Sequence, residues 1–352
     1  MSSHATSLIN TYSTRNLGDA AIMRSIAQLV PSRAADAVVS DQSPVSVPGV
    51  ALVERLQGDG PRISVGGDIF NNSRPLLFTR NFLANVAELR KVADRTISFG
   101  QTIPSSCTGL ALRKLSSALA RLPSVTVRDE ESHQLLNSRG VRADLSWDVA
   151  FVTRDTDSSL VRARKLYETE SLDPGRTVLM SARSFDALYP CDQAKFETQM
   201  ATLSRKLVWR GHQVAYVIQS DVSAADSDRE VVGRIKALFP NVRILDPLAE
   251  GDDEDRVATL ASILRLANIV VGVRYHTTVL RLAMGRQPFS LHYSRKGADL
   301  HKRLGLQGLH MSEGGLEDLI KDIERTADMH FDPSGISQEV ADRFSSAMST
   351  VS

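Results

Sequence analysis

The stretch 270–285, VVGVRYHTTVLRLAMG, sets Arg274 and His276 between an all-apolar run and a segment of helical periodicity. Arginine carries a permanent planar fork suited to carboxylate and phosphate, and imidazole exchanges a proton near neutrality. A buried strand followed by a helix would bring both to a helix N-terminus, where free N–H groups and the dipole favour an anion. Lys296 follows the next apolar run, in HYSRKGAD, and Arg183 ends TVLMSAR. The bland alternative is an arginine paired to a carboxylate and a histidine satisfied by backbone. Four basic groups, each at the end of an apolar run, favour a bound anion instead. In open α/β sheets ligands bind at that edge.

Other loops offer further candidates. Asn16, Gly18 and Asp19 fill the first loop, where Gly18 would admit a ligand to the backbone and Asp19 could accept a hydroxyl hydrogen bond. Gly66, Gly67 and Asp68 close one apolar run, and Gly100 with Gln101 closes the next. Arg128 and Asp129 read either as an interface pair or as a helix cap. The acidic run GDDEDR at 251–256 has no calcium-loop spacing and reads as a dipole-matched helix start. No metal and no bound cofactor are expected. Walker, Gly-x-Gly-x-x-Gly, HExxH and Gly-x-Ser-x-Gly patterns are all missing, which weakens ATP-driven, nicotinamide, zinc-protease and serine-hydrolase readings.

These residues need elements to position them. RISV, RTISF, SVTV, TVLMSAR, NIVVGV and PFSLHY are short continuous apolar runs, as strands buried on both faces should be. RNLGDAAIMRSIAQLV and AKFETQMATLSRKLVWRG alternate with them at helical spacing, the latter closed by Gly211. Alternation of this kind implies parallel sheets with helices on both faces. The pattern breaks near RDTDSSLV and restarts. The expected fold is therefore α/β: two Rossmann-like doubly wound domains facing a cleft. Residues 1–155 form the N-terminal domain, 156–330 the C-terminal domain, and 331–352 a last helix returning to the first.

Composition narrows the function. The chain has 352 residues, 42 basic and 41 acidic, for a net charge of +1. That balance argues against a nucleic-acid partner. No run reaches the roughly 18 apolar residues of a membrane span, and the N-terminus lacks a secretory pattern. Cys107 and Cys191 read as reduced thiols of a cytoplasmic protein.

Taken in order, N-L-G-D-A-A-I, G-G-D-I-F, S-F-G-Q-T-I-P, V-T-V-R-D-E-E-S, W-D-V-A-F, R-Y-H-T-T-V-L-R-L-A-M-G-R-Q-P and H-Y-S-R-K-G-A-D-L resemble the polysaccharide pyruvyl transferases. The resemblance runs through nearly the whole chain. Arg-Tyr-His followed by Gly-x-x-Pro is its most specific piece. Asp68 stands where a third glycine is usual, a departure on the N-terminal side. The resemblance implies a GT-B-like fold, phosphoenolpyruvate as co-substrate, and a sugar or oligosaccharide diol as acceptor, with a pyruvate ketal and phosphate as products. It also fits the residues: Arg274, Arg183 and Lys296 for the donor's charges, His276 as general acid, Asp19 as base or acceptor. Asn16, Gly18, Gly67, Asp68 and Gln101 fall to the acceptor side. A lipid-linked acceptor would bring the protein to the inner membrane face. Two rivals stand beside this reading. A nucleotide-sugar glycosyltransferase would bind a uridine or guanosine nucleotide, and a non-catalytic glycan- or phosphate-binding relative would release no phosphate.

Overall fold

Continuous β-branched runs become strands covered on both faces, and most are followed by a helix that packs against the sheet. A computed structural model describes residues 6–72, 74, 77–185, 191–249, 255–311 and 319–351. The chain divides into two units, Met1–Thr14, Asp19–Val152 and Ser334–Ser352 against Arg15–Gly18 and Thr153–Pro333.

The first unit holds β1 (Thr6–Ile9), α1 (Leu17–Leu29, from Asp19 onward), β2 (Ala35–Ala37), β3 (Val50–Leu52) and β4 (Arg62–Gly67). It continues through α2 (Arg80–Lys91), β5 (Thr96–Gln101), α3 (Gly109–Leu119), β6 (Ser124–Val127), α4 (Glu130–Ser138) and β7 (Asp144–Leu145). The seven parallel strands run in the order β3-β2-β1-β4-β5-β6-β7. Caps fix the helix starts: Thr79 Oγ1 accepts from Phe82 N at 3.2 Å, and Asp129 Oδ1 from Ser132 N at 2.8 Å. Asp129 is thus a cap, while its neighbour Arg128 is paired with Asp148.

The second unit holds α5 (Asp157–Thr169), β8 (Thr177–Ser181), α6 (Gln193–Trp209), β9 (Gln213–Val217), the hairpin strands β10 (Asp221–Ser223) and β11 (Asp226–Ser227), and α7 (Asp228–Leu238). Then come β12 (Arg243–Leu245), α8 (Arg256–Leu266), β13 (Ile269–Gly272), α9 (Tyr275–Ala283), β14 (Phe289–His292), α10 (Arg295–Leu304), β15 (Gly308–His310) and α11 (Ile320–Arg325). Its six parallel strands run β12-β9-β8-β13-β14-β15. Numbered along the chain, that is the doubly wound order 3-2-1-4-5-6. The last helix, α12 (Ser334–Met348), belongs to the first unit, where Phe344 meets Phe99 edge-on with centroids 5.1 Å apart.

Two details depart from periodicity. The sequence turns only Val279, Leu282 and Ala283 of α9 inward, yet all nine residues of that helix are buried. Arg281 makes this possible by donating to the carbonyls of Leu264 and Asn268. Most of the acidic run lies outside the described residues, but Asp255 caps α8, accepting from Ala258 N at 3.0 Å. Both cysteines are free. Among the described residues no helix is long and apolar enough to cross a membrane, and no group of three His, Cys, Asp or Glu side chains is arranged to hold a metal ion.

Candidate active site

In the second unit the strand order reverses between β8 and β13, and such a reversal opens a crevice beyond the carboxyl ends of the strands. Arg183 follows β8; Arg274 and His276 follow β13. Ser181 ties the two ends together: its Oγ accepts from Val273 N at 2.9 Å and from Arg274 N at 3.1 Å.

Arg274 leads into α9, but its side chain is already spoken for. Nε reaches both carboxylate oxygens of Asp228 at 2.9 and 3.0 Å, and Nη2 reaches Asp226 at 2.7 Å. Asp228 is fully buried and accepts two more bonds, from the backbone N–H groups of Gln219 (2.8 Å) and Ser220 (3.0 Å). Burial by itself would lower the guanidinium pKa; Asp228 and Asp226 outweigh it and hold the group more firmly charged than usual. The sequence assigns Arg274 to the donor's negative charge. In the structure its Nε and Nη2 are held by Asp228 and Asp226, which makes it a strut between the β13 edge and the β10–β11 hairpin.

His276, the second residue of α9, is mostly buried. Its imidazole occupies the space a side chain at residue 18 would need: a Cβ on Gly18 would lie 2.2 Å from Nδ1 and 2.8 Å from Cγ. The loop before α1 is pinned there. Leu17 N donates to Gln219 O at 2.9 Å, Asn16 bridges to Ser220, and Asn16 Oδ1 caps Gly18 N at 3.0 Å. Arg15 grips Asp221 through its carbonyl (2.9 Å) and carboxylate (3.1 Å). Thr277 Oγ1 then donates to Gln219 Oε1 at 2.6 Å, so Gln219 joins both halves of this corner.

A second cationic group stands beside β14. Arg183 donates to Tyr293 Oη and lies 4.6 Å from that ring's centroid. Lys296 Nζ lies 5.3 Å from the ring of Tyr275, which meets the His276 ring edge-on at 5.3 Å. A small recess lined by Tyr275, His292, Tyr293, Ser294 and Gly297 opens between them. Ser294 begins α10 without a side-chain cap. Gly297 permits the close approach, since a Cβ there would lie 2.9 Å from His292 Cβ.

Arg183, Arg274, His276, Lys296, Asn16 and Gly18 therefore share the second unit, while Asp19, Gly67, Asp68 and Gln101 belong to the first. Asp19 sits in the first turn of α1, where a carboxylate suits the dipole. The sequence puts Gln101 on the acceptor side; in the structure it is fully buried and donates to Gly67 O at 2.7 Å, fastening β5 to β4. Asp68 faces Arg128 at 3.7 Å. Asp226, Asp228, Gln219 and Ser220 have no counterpart among the sequence candidates. The only hint was three aspartates crowded into DVSAADSD just after an apolar run.

A family model described as polysaccharide pyruvyl transferase matches residues 16–295. The chain belongs to that family. The match starts at Asn16 and ends at Arg295, the head of α10, so it takes in Gly18, Arg183, Gln219, Asp226, Asp228, Arg274 and His276. Pyruvyl transfer to a polysaccharide is the activity the family's description carries. No curated protein matches the chain. Among solved structures, MnaA of S. aureus, with UDP, is 10% identical, with 97% of this chain and 95% of that one covered and a TM-score of 0.54. The UDP-GlcNAc 2-epimerase of Methanocaldococcus jannaschii is 8% identical (96% and 97% covered, TM-score 0.52). HepE of Anabaena, also with UDP, is 14% identical (98% and 100% covered, TM-score 0.50). These likenesses concern the fold, which is α/β and GT-B-like.

Proposed function

We propose that this polysaccharide pyruvyl transferase takes its pyruvyl group from phosphoenolpyruvate and joins it to two hydroxyls of a sugar as a ketal. The observation that carries the proposal is the imidazole of His276, seated on Gly18 just past β13, with the Arg183–Tyr293 pair past the ends of β8 and β14 and Lys296 of α10 against Tyr275. Phosphoenolpyruvate carries a phosphate and a carboxylate. Arg183 and Lys296 supply cations for them, and the head of α10 adds the positive end of its dipole. The tyrosine rings hold those two cations in fixed directions.

The reaction needs one proton delivered to carbon. His276, as imidazolium, gives its proton to the methylene carbon while a sugar hydroxyl attacks the enol carbon and loses its own. The C–O bond to phosphate then breaks, and the second hydroxyl closes the ring. Of the two hydroxyl protons, one balances that in the new methyl group and the other leaves with hydrogen phosphate. No metal or redox partner enters the balance.

Phosphate release from phosphoenolpyruvate with a panel of sugar diols, followed by mass detection of the ketal, tests the reaction. His276→Gln should lower turnover by roughly 100-fold or more while donor binding survives. Full turnover in that variant rejects the acid role. The rival, nucleotide-sugar transfer, draws on the UDP seen in MnaA and HepE. Thermal stabilisation by UDP but not by phosphoenolpyruvate would favour it.

A further inference from the structure

The outer faces of α2 and α3 carry a different message from their inner ones. Inward, Phe82, Val86 and Leu89 of α2 and Leu112, Leu115 and Leu119 of α3 share one core. Outward, Arg80, Arg90 and Lys91 of α2 and Arg113 of α3 are exposed, as are Arg74 and Arg121 at the flanks. The helices lie side by side. Arg90 Nη2, near the end of α2, reaches Ser117 Oγ at 3.5 Å, and Lys114 Nζ lies 5.6 Å from the ring of Phe78, just before α2. Helix α3 contains no acid, and the single carboxylate of α2, Glu88, turns inward to Asn10 N at 3.1 Å. The next acid along, Asp94, lies past the end of α2. Among the described residues none of these outward cations is in an ion pair. The whole chain has a net charge of +1, so this is a local concentration rather than a general excess.

Set among the cations are leucines that the core does not claim. Leu77 is 64% exposed, Leu110 58% and Leu83 38%. A soluble polyanion would use the charges and leave the leucines in water. The interface of an anionic bilayer uses both, drawing basic residues to its headgroups and apolar side chains to the acyl boundary. We propose that the α2–α3 face of the first unit docks on an anionic lipid bilayer. The inference goes beyond the transfer reaction and does not depend on its donor or products.

Sedimentation of the full chain with vesicles tests it. Binding to vesicles containing phosphatidylglycerol should exceed binding to phosphatidylcholine alone by roughly tenfold, and should fall in high salt. Arg80→Gln with Arg113→Gln should cut it several-fold. Leu77→Ser with Leu110→Ser should do the same at unchanged net charge, with circular dichroism reporting an intact fold. Equal binding to both vesicle types, or no binding, overturns the proposal. Loss on charge removal with no loss on leucine removal also overturns it, because the face would then be a polyanion site.

Discussion

The Nδ1 atom of His276 stands 2.2 Å from where the Cβ of any residue but glycine would sit at position 18. Two residues far apart in the chain therefore share one space, and the smaller makes room for the imidazole. Gly18→Ala should push the ring off its seat. Alanine suits a helix better than glycine by about 1 kcal/mol, so the fold should survive. Displacement of a catalytic group by about 1 Å can cost roughly 100-fold in rate. The expected variant melts near the parent temperature and turns over about 100-fold more slowly. Parental turnover would remove His276 from the chemistry or show that its ring can move freely.

The Arg274 strut makes a separate claim about stability. Asp228→Ala strips a buried guanidinium of its main, fully buried partner, at a cost of about 3–5 kcal/mol. Asp226, 26% exposed in its side chain, can be replaced in part by water. A thermal melt of Asp228→Ala should therefore shift well below that of Asp226→Ala. Equal shifts would mean that the charge network, and not the buried pair, holds this edge.

Acid should act through His292, whose ring meets those of His301 and His310 with centroids 4.7 and 5.4 Å away. Burial first, and those two neighbours second, push its pKa from 6.5 down to about 4. The folded state then binds fewer protons than the unfolded chain between those values, so stability falls as pH falls. The loss begins near 6.5 and is complete near 4. Because the ring is only partly buried, about 1–2 kcal/mol is a fair size. Urea midpoints at neutral and mildly acid pH should diverge less in His292→Asn than in the parent. An unchanged divergence would place the acid sensitivity elsewhere.

Much of this fold can be read from residues alone. RISV, RTISF, SVTV, TVLMSAR and NIVVGV become β4, β5, β6, β8 and β13 because strands covered on both faces need unbroken apolar runs. Ala35–Ala37 and Val50–Leu52 escape notice because three residues are too few to show a period; β2 takes its pairing from β1, and β3 from β2. The corner around His276 is legible only in part. Its strand-end position follows from local pattern, whereas the Gly18 contact and the Asp226–Asp228 clamp join stretches that no local period connects. Asp228 also opens α7 in sequence, so a helix start masks a buried counter-ion. Gln101 misleads for the opposite reason: a polar residue at a strand end looks available until the neighbouring carbonyl of Gly67 is seen to claim it.

Residues 15–18 fold with the C-terminal half although nearly everything around them in sequence folds with the other. A hybrid that swapped the C-terminal half for that of a relative would keep one parent's floor under the other parent's imidazole. Genetic exchange between members should thus tolerate a crossover near position 153 only when both parents carry glycine at 18 and the Gln219 partner that anchors it. The short N-terminal segment is, in effect, a portable part of the second unit, and engineers who trim or shuffle this enzyme must move the two together.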